Sequence, residues 1–80
     1  MARETDQIAQ DYSAMGDSVS VITAVIAGES MADESAEDRQ DCVDRNTHHL
    51  ELMVAKDDWG SESMTATNAA ITAGKGYTAS

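Results

Sequence analysis

The apolar residues between Ile8 and Ile26 constrain this chain more than any other feature. Ile8, Tyr12, Met15, Val19, Ile22 and Ile26 are spaced four, three, four, three and four residues apart. A helix turns through about 100° per residue, so this rhythm lines one stripe of an α-helix, as in a coiled coil or a helix bundle. The same stretch is rich in β-branched residues, which favour strands. Strict alternation nevertheless fails at Val21–Ile22 and again at Val25–Ile26, while the heptad spacing holds throughout. The spacing predicts a helix from about Arg3 to Ala27. Glu4 and Asp6 suit its first turn, at the positive end of the helix dipole. Gly28 stands where a left-handed C-terminal cap is expected. Gly16 lies inside the helix, at a cost of about 1 kcal/mol relative to Ala. Val21 and Val25 add a second apolar ridge, so we expect this helix to be covered from two sides.

A polar link follows over residues 29–35. Ser35 with Asp38 resembles a capping box in which Asp replaces the usual Glu or Gln, and Ser30 with Asp33 offers an alternative start one turn earlier. The second helix is predicted from about Ala36 to Lys56. Its inner stripe is Val43, Leu50, Met53 and Val54, interrupted by Asn46 and Thr47. Glu37, Asp41, Asp44, His48, Glu51 and Asp58 form the opposite stripe, and Asp41 pairs with Arg45 at i,i+4. One apolar and one acidic face describe an outer helix of a bundle. Gly60 is expected to cap this segment, with Ser61 or Ser63 starting a third helix. Trp59 should cover the end of the core, its N–H reaching a carbonyl or water. Residues 60–80 are mostly Gly, Ala, Ser and Thr. They support a short third helix over about 62–73, sealed by Met64 and Ile71 and stopped near Gly74, then a tail. The fold class expected is all-α: a small three-helix bundle, or a helical hairpin plus a short third helix, in one domain spanning residues 1–80.

The chain has 80 residues, and a chain of this size hides only about 60% of the surface its unfolded form exposes. Cys42 is the only cysteine, so no disulfide forms within the chain. Its neighbours Asp38, Asp41 and Asp44 disfavour a thiolate, and a small apolar filler is the better reading. The apolar supply facing the N-terminal stripe is thin. We therefore expect Ile8, Tyr12, Met15, Val19, Ile22 and Ile26 to be shared with a protein partner rather than covered wholly from within.

The formal charge is −10, from 15 acids and 5 bases. Phosphate binding needs clustered Lys and Arg, so neither nucleic acid nor an anionic membrane is an expected partner. The run Val19–Ala27 is too short to span a bilayer, and the acids before it do not suit a signal peptide. The charge is uneven. Residues 29–62 hold 11 acids and 3 bases, whereas the last eighteen residues hold only Lys75.

Candidate chemical sites are weak. Asp44, His48 and Glu51 share a helix face, but a second helix would have to supply further metal ligands. Asp57-Asp58-Trp59-Gly60-Ser61-Glu62 lacks the alternating acids and the distant bidentate Glu of a calcium loop. Gly74-Lys75-Gly76 lacks the spacing of a phosphate loop. No nucleophile stands beside an oriented base. We expect no enzyme activity, no cofactor and no metal.

The stretch Asp44-Arg45-Asn46-Thr47-His48-His49-Leu50-Glu51-Leu52-Met53-Val54-Ala55-Lys56-Asp57-Asp58-Trp59 resembles small acidic proteins of marine tailed bacteriophages, of the cyanophage type. Asn68-Ala69-Ala70-Ile71-Thr72-Ala73-Gly74-Lys75 adds to the resemblance, which covers roughly the C-terminal half. It implies a setting rather than an activity. In that setting the expected role is a non-enzymatic structural or assembly subunit: capsid decoration, head–tail or tail part. A protein that binds and redirects a host protein is the alternative. The expected location is the virion or the host cytoplasm, and the expected partner is a further copy or a larger viral assembly.

Overall fold

A computed structural model describes residues 3–80. Three helices account for the architecture: α1 over Thr5–Ile26, α2 over Ala36–Val54 and α3 over Thr65–Gly76. They form an all-α three-helix bundle. Ser18 on α1 meets His49 on α2, and Thr47 on α2 meets Gly74 on α3. The bundle is a short rod of 42 × 19 × 18 Å. Its length follows from α1, whose 22 residues rise about 1.5 Å each.

The first connection is built largely from local chemistry. Gly28 adopts the left-handed conformation, with φ 78°. Its N–H bonds to the Val25 carbonyl at 3.1 Å, and the Glu29 N–H bonds to the Ala24 carbonyl at 2.9 Å. These two bonds make a Schellman ending, which satisfies carbonyls that the helix leaves free. Met31 is also left-handed, with φ 57°. An L side chain rarely adopts this, and here the thioether is packed against the core. Ser35 then caps α2: its hydroxyl accepts the Asp38 N–H at 3.1 Å. Ser35→Ala removes that acceptor and is expected to lower stability by about 1 kcal/mol. In a domain of this size that is a fall of about 4–8 °C in the thermal midpoint, measurable by circular dichroism.

The core lies along the axis of the rod. Met15, Ile22, Val43 and Leu50 are wholly enclosed, with Val25, Met53, Trp59 and Ala70 nearly so. Ser18, Thr47 and Thr67 are buried among them. Cys42 is half-buried against this cluster, as a filler would be.

Several boundaries differ from expectation. α1 occupies 5–26 rather than 3–27, because Arg3 and Glu4 precede its first turn. α2 stops at Val54, two residues before Lys56. The chain then folds back so that the Trp59 indole N–H donates to the Met53 carbonyl at 3.0 Å. Gly60 has φ 65°, but it does not cap α2. It lies in a turn in which the Glu62 N–H bonds to the Trp59 carbonyl. α3 begins at Thr65 rather than near 62; Ser63 just before it accepts the Thr65 N–H on its hydroxyl at 3.4 Å and the Tyr12 hydroxyl on its carbonyl at 2.8 Å. α3 also continues past 73 to Gly76. Gly74 is a buried contact point rather than a stop. The inner face of α3 is Thr67, Ala70 and Gly74, with Met64 and Ile71 at its half-buried flanks. Small residues let α3 approach α2 closely.

Candidate interaction surface

The N-terminal corner carries the densest polar network. The Arg3 Nε donates to both Asp58 carboxylate oxygens at 3.0 Å, and its backbone N–H donates to the same carboxylate at 3.1 Å. Arg3 Nη2 also pairs with Asp58, and Nη1 reaches Asp11 at 2.6 Å. The guanidinium lies over the Trp59 ring, 4.2 Å from its centre. Tyr12 meets the same ring edge-on at 6.1 Å. One cation thus ties the start of the chain to the loop after α2, by paired hydrogen bonds and by stacking on an aromatic face.

Hydrogen bonds from the Arg3 side chain, with its backbone N–H next, hold the Asp58 carboxyl well below the usual carboxylate range. The Asp11 carboxyl is lowered chiefly by the same guanidinium, with a smaller contribution from Gln7. Arg3 itself is raised, by Asp58 first and Asp11 second. The folded state therefore binds fewer protons than the unfolded state near the ordinary carboxylate pKa. Its advantage is complete above about pH 5 and is lost as pH falls below about 4. We expect Asp58→Asn to melt below the wild type at neutral pH and to lose less on acidification. The two midpoints should draw together progressively as pH falls below the ordinary carboxylate range. Parallel pH curves would show that Asp58 is uncoupled from folding.

The other proposed chemical positions are taken up by ordinary contacts. Asp44 accepts from Gln40 at 3.0 Å, and Glu51 pairs with Lys75 at 3.1 Å. His48 is exposed, while His49 Nδ1 lies 3.0 Å from the Ser18 hydroxyl. Among the described residues no three His, Cys, Asp or Glu side chains are gathered as metal ligands. Gly74-Lys75-Gly76 forms the last turn of α3. No helix among the described residues is long and apolar enough to cross a membrane.

The α1 stripe divides into two heptad rows. Ile8, Met15 and Ile22 point toward the core: Met15 and Ile22 are enclosed and Ile8 is half-buried. Tyr12, Val19 and Ile26 lie on its margin. Tyr12 and Val19 are half-buried, and Ile26 is 38% exposed. The second ridge divides as well, since Val25 is buried while Val21 stays 36% exposed. Beside the marginal row runs a row of small residues, Ala9, Gly16 and Thr23, with Ser13 and Ser20 next to it. These residues fill about a third of the helix circumference at about 100° per residue, and none is charged. Asp6 and Asp17 fall beyond Ser13 and Ser20.

α3 continues this uncharged face. Thr65, Ala66, Asn68, Ala69, Thr72 and Ala73 are exposed, and the only charge on the helix, Lys75, turns toward Glu51 on α2. Between the two helices lies a half-open hollow of about 290 Å³, the solvent at its mouth included, lined by Tyr12, Met15, Gly16, Val19, Ala66 and Thr67. Small-molecule sites enclose most of the ligand, whereas this hollow is half-open to solvent, so it suits a side chain better. A Cβ built on Gly16 meets no atom within 4 Å. The acids lie elsewhere: Glu37, Asp38, Asp41 and Asp44 stand exposed along α2. The outer face of α2 is therefore acidic, while the exposed face of α3 and the Ala9–Gly16–Thr23 row of α1 carry no acid.

Nothing in the periodicity marks Arg3 or the smallness of the α1–α3 face as important. The scarcity of acids after residue 62 is the one signal that points toward that face. Comparison with protein-family models, with curated proteins and with solved structures gave no match.

Proposed function

We propose that this chain is a non-enzymatic assembly subunit, acting through helix–helix contact within a tailed-phage particle as a decoration, head–tail or tail component. The observation that supports this reading is the segregation of charge. The exposed face of α3 and the small-residue row of α1 carry none of the fifteen acids, and a half-open hollow lies between the two helices. Acids facing water keep a small protein soluble, while an uncharged side of small residues permits close packing. The proposal includes neither nucleic acid nor membrane as partner, since clustered bases are required for both.

Mass spectrometry of purified particles tests the reading. The chain should be recovered at a copy number comparable with other structural components, and its absence would overturn the proposal. A second reading, an acidic protein that engages a basic patch on a host protein, is favoured by the exposed row on α2. It calls for a salt-sensitive pull-down of one host protein by the wild type that is lost on Asp38→Asn/Asp41→Asn/Asp44→Asn.

A further inference from the structure

We propose that Arg39 and Gln40, in the first turns of α2, form a docking site for an extended chain end, filled in the single molecule by residues 77–80 and open to the same residues of a second copy. This rests on the reading of the chain as an assembly subunit and names a contact that joins its copies.

The tail leaves α3 as an extended segment. Tyr77 and Ala79 are half-buried, whereas Thr78 and Ser80 are exposed, the alternation of a strand laid on a surface. A side chain takes the place of the neighbouring strand. Gln40 Nε2 donates to the Tyr77 carbonyl at 3.1 Å, and Gln40 Oε1 accepts the Ala79 N–H at 2.8 Å. In an extended chain that carbonyl and that N–H point to the same side, where one residue of a parallel strand would meet both. Arg39 Nη2 donates to the Ser80 carbonyl at 2.8 Å, and Nη1 lies 3.4 Å from the Tyr77 hydroxyl. Apart from that hydroxyl, these contacts read backbone alone.

Two features make the site exchangeable. The first is that it is preformed. The Gln40 amide nitrogen has two protons, and the second goes to Asp44 at 3.0 Å, one turn along α2. Arg39 Nε donates to the Glu34 carbonyl at 3.3 Å. Both anchors lie outside the tail, so both side chains keep their aim when the tail leaves, and little has to be ordered at the next binding. The second is charge. Glu37, Asp38 and Asp41 stand exposed beside the clamp and repel most of another molecule at −10. The tail is the exception, since after Glu62 the chain has no acid and Lys75 is its only charge. It is also attached by one end, beyond Gly74, the last buried residue of α3. It can therefore change partners while the bundle stays folded. Contacts between copies repeat those within one, so concentration decides between them; a short attachment holds its ligand at a millimolar effective concentration.

Two variants of the full chain, each defective in one half of the contact, test the proposal. Ala79→Pro removes the N–H that Gln40 accepts and keeps the clamp. Gln40→Leu removes the clamp and keeps the tail. Each alone should stay monomeric. When unlabelled Gln40→Leu is added at millimolar concentration to isotope-labelled Ala79→Pro, the Gln40 side-chain amide resonances of the labelled chain should shift. Residues 76–80 as a peptide capped at both ends should cause the same shifts. Methylating the peptide nitrogen equivalent to Ala79 should weaken its binding about tenfold, the worth of one hydrogen bond. Wild type should bind the peptide more weakly than Ala79→Pro, because its own tail competes. Absence of shifts on mixing overturns the proposal, as do shifts that persist when the unlabelled chain carries both substitutions. Should Gln40→Leu fail to fold, the peptide decides alone: no binding to Ala79→Pro, or equal binding after methylation, overturns the site. Absence of the chain from purified particles would sink the particle role and leave tail exchange standing; chains found in particles that exchange no tail would do the reverse.

Discussion

Gly74→Ala is expected to destabilise the fold by about 3 kcal/mol, at the upper end of the usual cost of overpacking. A Cβ at this position would lie 2.0 Å from the Thr47 hydroxyl oxygen and 3.1 Å from the Thr47 Cβ. Both residues are buried where α2 crosses α3. Helix propensity acts in the opposite direction and would favour Ala by about 1 kcal/mol. The sign of the effect therefore decides between two descriptions of Gly74. If it merely terminates a helix, Ala is tolerated or helpful; if it is the contact point, Ala is harmful. Urea denaturation followed by circular dichroism separates them. Thr47→Ala in the same chain should recover much of the loss, because it removes the two atoms other than Cβ that a new methyl group would strike. The Thr47 hydroxyl is buried without a hydrogen-bond partner, so its removal costs no satisfied bond.

Trp59→Ala should have the larger effect, about 3–5 kcal/mol. The total stability of a domain of this length is only roughly 4–12 kcal/mol, so the variant is expected to be partly unfolded at room temperature. The ring is 6% exposed and closes the end of the core between Arg3, Tyr12 and the last turn of α2. Trp59→Phe keeps an aromatic surface and gives up the indole N–H, so it should lose distinctly less. Equal losses in the two variants, read from denaturation midpoints, would place the importance of Trp59 in its hydrogen bond to Met53 rather than in its packing.

Local features of this fold were legible in the sequence, and features that depend on where helices meet were not. The ends joining α1 to α2 are short-range: Gly28 and the Ser35–Asp38 pair act on their own neighbours, and both stand where expected. The heptad count identifies α1 as a helix. It does not say which of its two rows turns inward, because that depends on the placement of α3. Only with α3 beside Tyr12 and Val19 does the row of Ile8, Met15 and Ile22 become the internal one. That covering buries Met15 and Ile22 within the single chain, and leaves Tyr12, Val19 and Ile26 at the margin of the stripe. Gly74 near the end of an Ala-rich run reads equally as a stop or as a contact until Thr47 is placed against it. Ser61 and Ser63 are equally good helix starters by type; in the fold the Ser63 hydroxyl accepts the Thr65 N–H at 3.4 Å, and its carbonyl accepts from Tyr12, 51 positions away. Arg3 carries no sequence signal at all. Its role arises from a partner 55 positions along the chain.

The position of Trp59 has an optical consequence. It is the only tryptophan, and it sits beneath a guanidinium and beside one of the two tyrosines. Ultraviolet-excited emission from this protein therefore reports on a single corner of the rod, while far-ultraviolet ellipticity averages over all three helices. On acidification, a red shift in emission that precedes the fall in ellipticity would time the release of Arg3 separately from the collapse of the bundle. Coincident curves would mean that the latch and the bundle let go together.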